Sequence, residues 1–259
     1  RKFKLIYWGI GVSASYDSRY DQDQSRTAYR YNAIMKADAT VFYSDYPVKK
    51  YASMGIPSEK LFVANNTVYV NHEMPEKTYN TILFIGSLYK QKRIDILIDQ
   101  YVAAYQENPL IPKLILIGDG DQRDRIKEQI MKAKVEDQII LAGNITDETI
   151  LEKYFAEAIA CISPDQAGLS VLKAMGYGVP FVTWKNAITG GEIFNIHDCV
   201  DGILMDDLNE LKKVILDTYN HRENFIEMSE KAFQYYWKFR RPDQMVQGFM
   251  DAIEYVIRK

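Results

Sequence analysis

From residue 81 onward, short apolar runs and amphipathic windows alternate along the chain. Runs at 81–85, 113–117, 138–142, 158–163, 180–183 and 202–205 predict strands. The spacing between them predicts helices over 94–107, 122–134, 147–157 and 169–175, with a turn or short helix near 191–196. Leu114-Ile-Leu-Ile117 and Ile139-Ile-Leu-Ala142 are apolar at every position, which fits strands covered on both faces. Regular alternation of such strands with helices predicts an α/β domain with a doubly wound parallel sheet. Before residue 72 the rhythm is looser. Strands are expected at 4–8, 39–43 and 60–64, a helix at 26–36, and another from Asp45 or Tyr46 to Gly55. Polar residues 71–78, with Pro75, read as a linker, and three helical windows (207–219, 223–238, 243–257) finish the chain.

Composition narrows the picture in a few places. The 259 residues are 47% hydrophobic, enough for one large domain or two modest ones. A net charge of −3 argues against a nucleic-acid partner, which calls for a basic face. Cys161 and Cys199 lack metal-ligand spacing and read as buried thiols, in keeping with a reducing compartment. No apolar run reaches the roughly 18 residues of a membrane span. Arg1-Lys-Phe-Lys4 followed by an apolar stretch has the outline of a signal peptide, but Gly9 and Gly11 interrupt it. A strand entering a glycine loop fits better, and the missing initiator Met suggests a piece of something longer.

The most informative stretch runs from Ala158 to Pro180. An apolar run ends at Ser163-Pro164, a polar loop holds Gly168, and an amphipathic helix stops at Gly176 or Gly178 before Phe181-Val-Thr-Trp184. A helix N-terminus at the end of a buried strand has free N–H groups and a positive dipole end, which suits a phosphate. An ordinary βαβ corner without a ligand has the same pattern. After the strand at 81–85, Gly86 permits a tight turn, and Lys90, Lys92 and Arg93 cluster at a helix start, where cations oppose the dipole unless an anion is also present. The cluster reads either as a diphosphate cradle or as a solvated basic turn. Gly118-Asp119-Gly120-Asp121 contains an Asp-x-Asp string but reads as a strand-ending turn rather than a metal site. The dinucleotide fingerprint, the phosphate loop and the Gly-x-Ser-x-Gly elbow are absent, and His72, His197 and His221 are isolated.

With these segments in place, the chain resembles the retaining family 4 glycosyltransferases of GT-B fold over most of residues 60–259. Leu83-Phe-Ile-Gly-Ser-Leu88 through Lys92-Arg-Ile-Asp95 is similar to the family's Gly-Arg-Leu…Lys-Gly-Ile-Asp segment. Leu114-Ile-Leu-Ile-Gly-Asp-Gly120 and Leu141-Ala-Gly-Asn144 follow in order. The 165–173 corner resembles the Glu-x7-Glu motif, followed by Ala174-Met175 and Gly178-Val-Pro180. Thr189-Gly-Gly-Glu192 and Asp201-Gly202-Ile-Leu204 are looser echoes.

The resemblance implies metal-independent transfer of a sugar, with retention, from a UDP- or GDP-sugar to an acceptor hydroxyl in bacterial surface polysaccharide synthesis. It implies no cofactor beyond that substrate. It makes residues 1–72 an incomplete acceptor domain, 73–79 a linker, 80–222 a Rossmann-like donor domain, and 223–259 helices that pack back on the N-terminal part. Asp165 stands where a Glu contacts the donor sugar, as the catalytic residue. Ala167, Gly168, Leu169 and Ser170 would face the sugar or diphosphate, with Gly86, Ser87, Lys92 and Gly118 beside them and Asn144 and Ile145 by the base.

Asp165 is one methylene shorter than the family's Glu, and three further departures stand out. Lys173, counted with the donor-binding residues, occupies the second Glu position, which holds the ribose hydroxyls; a lysine can donate to an oxygen but cannot accept from a hydroxyl, so ribose recognition must differ. Ser87 replaces an Arg, and Ile10 lies about where related enzymes often carry a His. They motivate a second reading, a nucleotide-sugar-binding partner protein without turnover. An epimerase of the same architecture would need further cleft acids or histidines, which are not evident. The acceptor would be a glycan or a lipid-linked molecule, and the location cytoplasmic, with docking at the inner membrane face left open.

Overall fold

The computed structural model describes residues 3–15, 19–70 and 74–258; His72 lies outside them. Two parallel sheets organise the chain. The smaller holds β1 (Ile6–Gly9), β2 (Ala39–Phe42) and β3 (Leu61–Val63) in that order, with α1 (Thr27–Lys36) and α2 (Asp45–Ser53) as crossovers. The larger is built from β4 (Thr81–Ile85), α3 (Ile94–Glu107), β5 (Lys113–Ile117), α4 (Arg123–Ala133), β6 (Ile139–Gly143), α5 (Glu148–Glu157) and β7 (Ala158–Ile162). It continues through β8 (Gln166–Ala167), α6 (Ser170–Gly176), β9 (Phe181–Trp184), β10 (Ile188–Thr189) and β11 (Gly202–Met205). Its strand order is β11-β9-β7-β4-β5-β6, while β8 and β10 form a separate two-stranded ribbon. Helices α7 (Leu211–Asn220), α8 (Arg222–Phe239) and α9 (Pro242–Arg258) follow.

The larger sheet is covered on both faces because its apolar runs have no polar face to offer water. In β4, Ile82 and Phe84 enter one core with helices α3 and α4, while Leu83 enters the opposite core with α5 and α6. In β5, Leu114 and Leu116 go to the first core, Ile115 and Ile117 to the second. This two-residue alternation sends successive side chains to opposite faces, each burial being worth roughly 1.5–3 kcal/mol. The ends of the elements have local causes. Asp147 caps α5 by accepting from the N–H groups of Thr149 (2.8 Å) and Ile150 (3.2 Å). The helix expected from residue 207 begins as a 3-10 turn with a capping box between Asp207 and Glu210, and α7 proper starts at Leu211.

The smaller sheet has thinner cores. Ile34, Phe42, Tyr51, Ile56 and Leu61 form one, and Ala39, Val41 and Ala64 meet Ala252 and Val256 of α9 in the other. Strand β1 is an edge whose Trp8 is half exposed, resting edge-on against Tyr43 and Phe249.

The final helix crosses back to the smaller sheet, but α8, expected to accompany it, does not. Helix α8 packs on α6 and β7: Ser229 Oγ bonds the carbonyl of Gly178, and Trp237 Nε1 donates to that of Gly176 at 3.3 Å. Five apolar or small residues of α8 (Phe225, Met228, Ser229, Ala232 and Tyr236) are buried there, which fixes it to the larger unit. Among the described residues no helix is long and apolar enough to cross a membrane.

Helix α9 can lie on β3 because residue 248 is glycine. A Cβ there would stand 2.1 Å from the Val63 carbonyl oxygen and 2.8 Å from Ala64 Cα, both backbone atoms. Gly248→Val is therefore expected to lift α9 off the smaller sheet and cost about 1–3 kcal/mol of stability. Urea unfolding of the two proteins measures it, and an unchanged midpoint would contradict the packing.

Candidate functional site

After β4 the chain builds outward through β5 to β6, then returns so that β7 pairs with the other side of β4. The strand order thus reverses between β4 and β7, and in open α/β sheets the crevice beyond the strand ends at such a reversal accepts ligands. Leu83 is paired with Cys161, so the loop after β4 (86–93) and the loop after β7 (163–169) leave the sheet side by side.

Lys92 lies in the first of these loops, on a 3-10 turn, Lys90–Lys92, and is only 8% exposed. Its Nζ is 3.2 Å from where a Cβ on Gly86 would stand, so the glycine leaves room for the ammonium. Gly86 also has φ +145, which a side chain would strain. The ammonium faces the ring of Phe84 at 5.9 Å and lies near the fully buried thiol of Cys161. Among the described residues no hydrogen bond or carboxylate partner holds this Nζ. Burial pushes its pKa down to about 8, and it pushes that of the Cys161 thiol up to about 12. A buried cation without a counter-charge is costly, and an anion in the crevice would relieve that cost.

The second loop carries Asp165, which is 7% exposed. Its carboxylate is not free. Arg19, from the unit of the smaller sheet, donates Nη1 to Oδ1 at 2.7 Å and Nη2 to Oδ2 at 3.2 Å. The guanidinium also lies 5.0 Å from the ring centre of Trp184 on β9. Beyond Asp165 the corner is open: nothing lies within 4 Å of a Cβ built on Gly168, and Leu169 is exposed. The N–H groups of Gly168, Leu169 and Ser170 find no acceptor among the described residues. Ala167 differs, being fully buried in the β8–β10 ribbon. Helix α6 is short, seven residues, so the free N–H groups of the corner count for more than its dipole.

The remaining residues singled out from the sequence are spread around this crevice. Ser87 follows Gly86 in the same loop. Gly118 ends β5 with φ +147, and a Cβ there would stand 1.9 Å from the Gly86 carbonyl oxygen; it supports the loop from below. Asn144 and Ile145 follow β6, at the far edge of the sheet but on the same side of it. Asn144 is exposed, and Ile145 packs on the core that contains Val171 and Leu172. Lys173 does not present a free ammonium: it is paired with Glu148 in the first turn of α5, and Tyr177 OH donates to the same carboxylate oxygen at 3.4 Å. Glu148 Oε1 has no partner among the described residues.

A second cross-unit contact involves Glu192, 7% exposed, whose Oε1 accepts from Asn66 Nδ2 at 2.9 Å and Oε2 from the Gly190 N–H at 2.9 Å. Beside it, Tyr20 meets Phe194 edge-on at 5.0 Å and shares a 3.3 Å hydrogen bond with Ser44. Burial raises the pKa of Tyr20 to about 12, so it stays a neutral phenol. Arg19, Tyr20, Asn66 and Glu148 carried no periodic signal in the sequence. Arg19 and Asp165 are 146 residues apart, and only the folded chain brings them together.

The Asp119 carboxylate turns back onto the Gly120 N–H at 2.8 Å, as in a simple turn. His197 bonds Asp201 at 2.6 Å inside its own loop, and His221 lies 3.8 Å from Asp217. Both cysteines are free. Cys161 is buried as expected, but Cys199, in the turn before β11, is exposed.

Comparison with known proteins agrees with this architecture. Residues 79–221 match the family model of glycosyl transferases group 1. An uncharacterized glycosyltransferase of Haemophilus influenzae is 24% identical over 212 residues, covering 80% of this chain and 59% of that protein. The poly(glycerol-phosphate) alpha-glucosyltransferase of Bacillus subtilis is 23% identical over 254 residues, covering 94% and 37%. The chain therefore spans less than two thirds of either relative. Among solved structures, Anabaena HepE in complex with UDP superposes with a TM-score of 0.75 at 18% identity, over 98% of this chain and 72% of that one. Staphylococcus aureus TarM gives 0.71 at 20%, over 90% and 48%. The fold is the Rossmann-like α/β architecture of GT-B glycosyltransferases, and with the family model covering more than half its length, the chain belongs to the glycosyl transferases group 1.

Proposed function

We propose that the crevice between β4 and β7 binds the diphosphate of a UDP- or GDP-sugar, and that the protein transfers the sugar with retention to a hydroxyl of a glycan or lipid-linked acceptor. The observation that carries this reading is Lys92, a residue 8% exposed with no carboxylate partner among the described residues, beside a glycine loop at the switch point of the sheet. An anion held there would gain a charge-assisted bond, and the unpaired N–H groups of 168–170 would add donors to the same anion or to its sugar. As the leaving diphosphate develops charge, Lys92 would stabilise it without a required metal. Asp165 would accept from the sugar hydroxyls.

The expectation for Lys173 changes. A carboxylate beside it, Glu148, keeps one oxygen unpaired and is fixed by Lys173 and Tyr177. Glu148 rather than Lys173 would accept from the ribose hydroxyls, with Asn144 and Ile145 bordering the base.

Relatives support the acceptor class: besides the Bacillus subtilis enzyme, the alpha-monoglucosyldiacylglycerol synthase of Streptococcus pneumoniae is 25% identical over 148 residues. HepE with UDP-glucose and pneumococcal GtfA with UDP and GlcNAc support a uridine nucleotide. The reading includes a cytoplasmic location and a role in surface polysaccharide synthesis. The alternative is a nucleotide-sugar-binding partner protein without turnover, favoured by the Arg19–Asp165 pair, which already occupies both oxygens of the acid. Sugar transfer or donor hydrolysis by the protein would exclude it.

Lys92→Ala is expected to weaken UDP or GDP binding by about 1–3 kcal/mol in calorimetry, and unchanged affinity would refute the diphosphate role. The pH dependence follows from the depressed pKa. In the empty site Lys92 loses its proton as pH rises through about 8, whereas a bound diphosphate holds the proton on. Affinity should therefore be level below pH 8 and fall above it, by up to roughly tenfold per pH unit. Lys92→Met should remove the lysine-dependent part of that fall. An identical pH profile in both proteins would contradict the assignment.

A further inference from the structure

We propose that Arg19 is a positioning residue of the donor site: it reaches across from the smaller unit and clamps the Asp165 carboxylate, so that the surface meeting the transferred sugar is complete only when the two units are closed on each other. The inference rests on the donor-site reading above and adds a residue from the opposite wall of the cleft.

The pair has the geometry of a designed contact rather than a passing surface bridge. Both terminal guanidinium nitrogens are used, one on each oxygen, in the parallel arrangement that fixes the plane of a carboxylate. The acid is nearly sealed, with its side chain 10% exposed, and Trp184 supports the guanidinium from the side. The backbone of Asp165 is fixed as well, since its carbonyl accepts from the Ile188 N–H at 3.0 Å.

Arg19 is itself on an anchored arm. Two residues on, Asp21 donates its N–H to Ser13 at 2.8 Å. Its carboxylate takes Lys50 Nζ at 2.6 and 2.8 Å and Tyr46 OH at 2.7 Å, both from α2. Tyr20, between them, packs on Phe194 of the larger unit.

A carboxylate has about four lone-pair directions, and Arg19 takes one on each oxygen. The remaining two have fixed directions, and the open space at Gly168 lies three residues on in the same loop. A hydroxyl-bearing sugar placed there would meet an oriented acceptor. Without Arg19 the same carboxylate would be buried, unpaired and free to rotate. A simple strut between units has no reason to end on the one acid at this corner.

Calorimetry with nucleotide alone and with nucleotide sugar separates these cases. UDP and GDP, and then UDP-glucose, UDP-N-acetylglucosamine and GDP-mannose, are titrated into the wild type, Arg19→Ala and Arg19→Lys. The expected result is that Arg19→Ala keeps the wild-type affinity for the bare nucleotide within about twofold. It should lose tenfold or more of the extra affinity that the preferred sugar confers, with part of that restored in Arg19→Lys. Equal loss for nucleotide and nucleotide sugar would make Arg19 a strut and overturn the proposal, as would a wild type that binds UDP or GDP but gains nothing from any of the sugars. Failure of the wild type to bind either nucleotide would remove the donor-site reading and the clamp with it. A double-mutant cycle of Arg19→Ala and Asp165→Ala in urea unfolding supplies a ligand-free check. Strong coupling supports the clamp, and independent effects overturn it.

Discussion

Parallel strands cannot be joined by tight turns, so each new strand must be reached by a crossover, and a sheet grown in one direction has to double back if it is to be covered on both faces. That constraint organises this molecule. The chain extends from β4 to β6, returns, and lays β7 on the opposite side of β4. The reversal leaves two loops leaving neighbouring strands without a crossover filling the space between them. The residues at this gap are the ones the rest of the fold supports. Gly118 packs against the backbone of Gly86, Gly86 makes room for Lys92, and the ammonium faces the ring of Phe84 near the thiol of Cys161. Removing water from a cation without replacing its hydration is destabilising. The sheet holds it there because both cores, on either side of β4 and β7, fix the strand ends to which the loops are attached.

The two units are tied in different ways at the two sides of the cleft. At the back, α9 lies on β2 and β3 through apolar contact, with Gly248 allowing backbone to approach backbone. At the front, the contacts are polar or aromatic: Arg19 with Asp165, Asn66 with Glu192, Tyr20 with Phe194. Apolar contact of this kind is non-directional and tolerates small rotations, whereas hydrogen bonds between oriented partners do not. The two sides of the cleft are therefore held by contacts of different kinds, apolar packing at the back and oriented partners at the front. Lys77 reinforces this division. Its ammonium bonds the carbonyls of Phe155 at 2.6 Å and Tyr177 at 3.3 Å, near the ends of α5 and α6, and pins the entering segment to the larger unit. Burial lowers the Lys77 pKa to about 7.

The larger sheet was legible in the sequence because its strands are apolar at consecutive positions and its helices amphipathic, signals that need only a short window. The strand at 113–117 and the helix at 94–107 match to the residue. Gly86 and Lys92 were legible for a related reason, since both follow a strand directly and their meeting is local. What the sequence did not disclose is long-range pairing. Arg19 sits in a polar loop among Ser, Asp and Gln, where nothing distinguishes one charged residue from its neighbours. Asp165 looked like an isolated acid facing a sugar, and its clamp came from the other unit. The placement of α8 was missed for the same reason. Its apolar stripe announces that one face will be buried, but not which surface will cover it.

Lys173 shows how far a motif position can be trusted. Aligned by pattern, it occupies the place of an acid and looks like a loss of function. In the fold it lies on α6 against the first turn of α5, where the helix dipole favours a negative charge and Glu148 supplies one. The pair has the same two ingredients as an acid alone plus a solvent-neutralised charge, but their positions on the backbone are exchanged. One oxygen of the Glu148 carboxylate is held by a lysine and a tyrosine instead of standing alone. Such an exchange needs only that two helices present adjacent first and last turns, which the α5–β7–α6 connection enforces. In the proposed donor site the chemistry offered to a ligand is thus set by which atoms reach it, and Glu148 would place there the carboxylate that the motif position lacks.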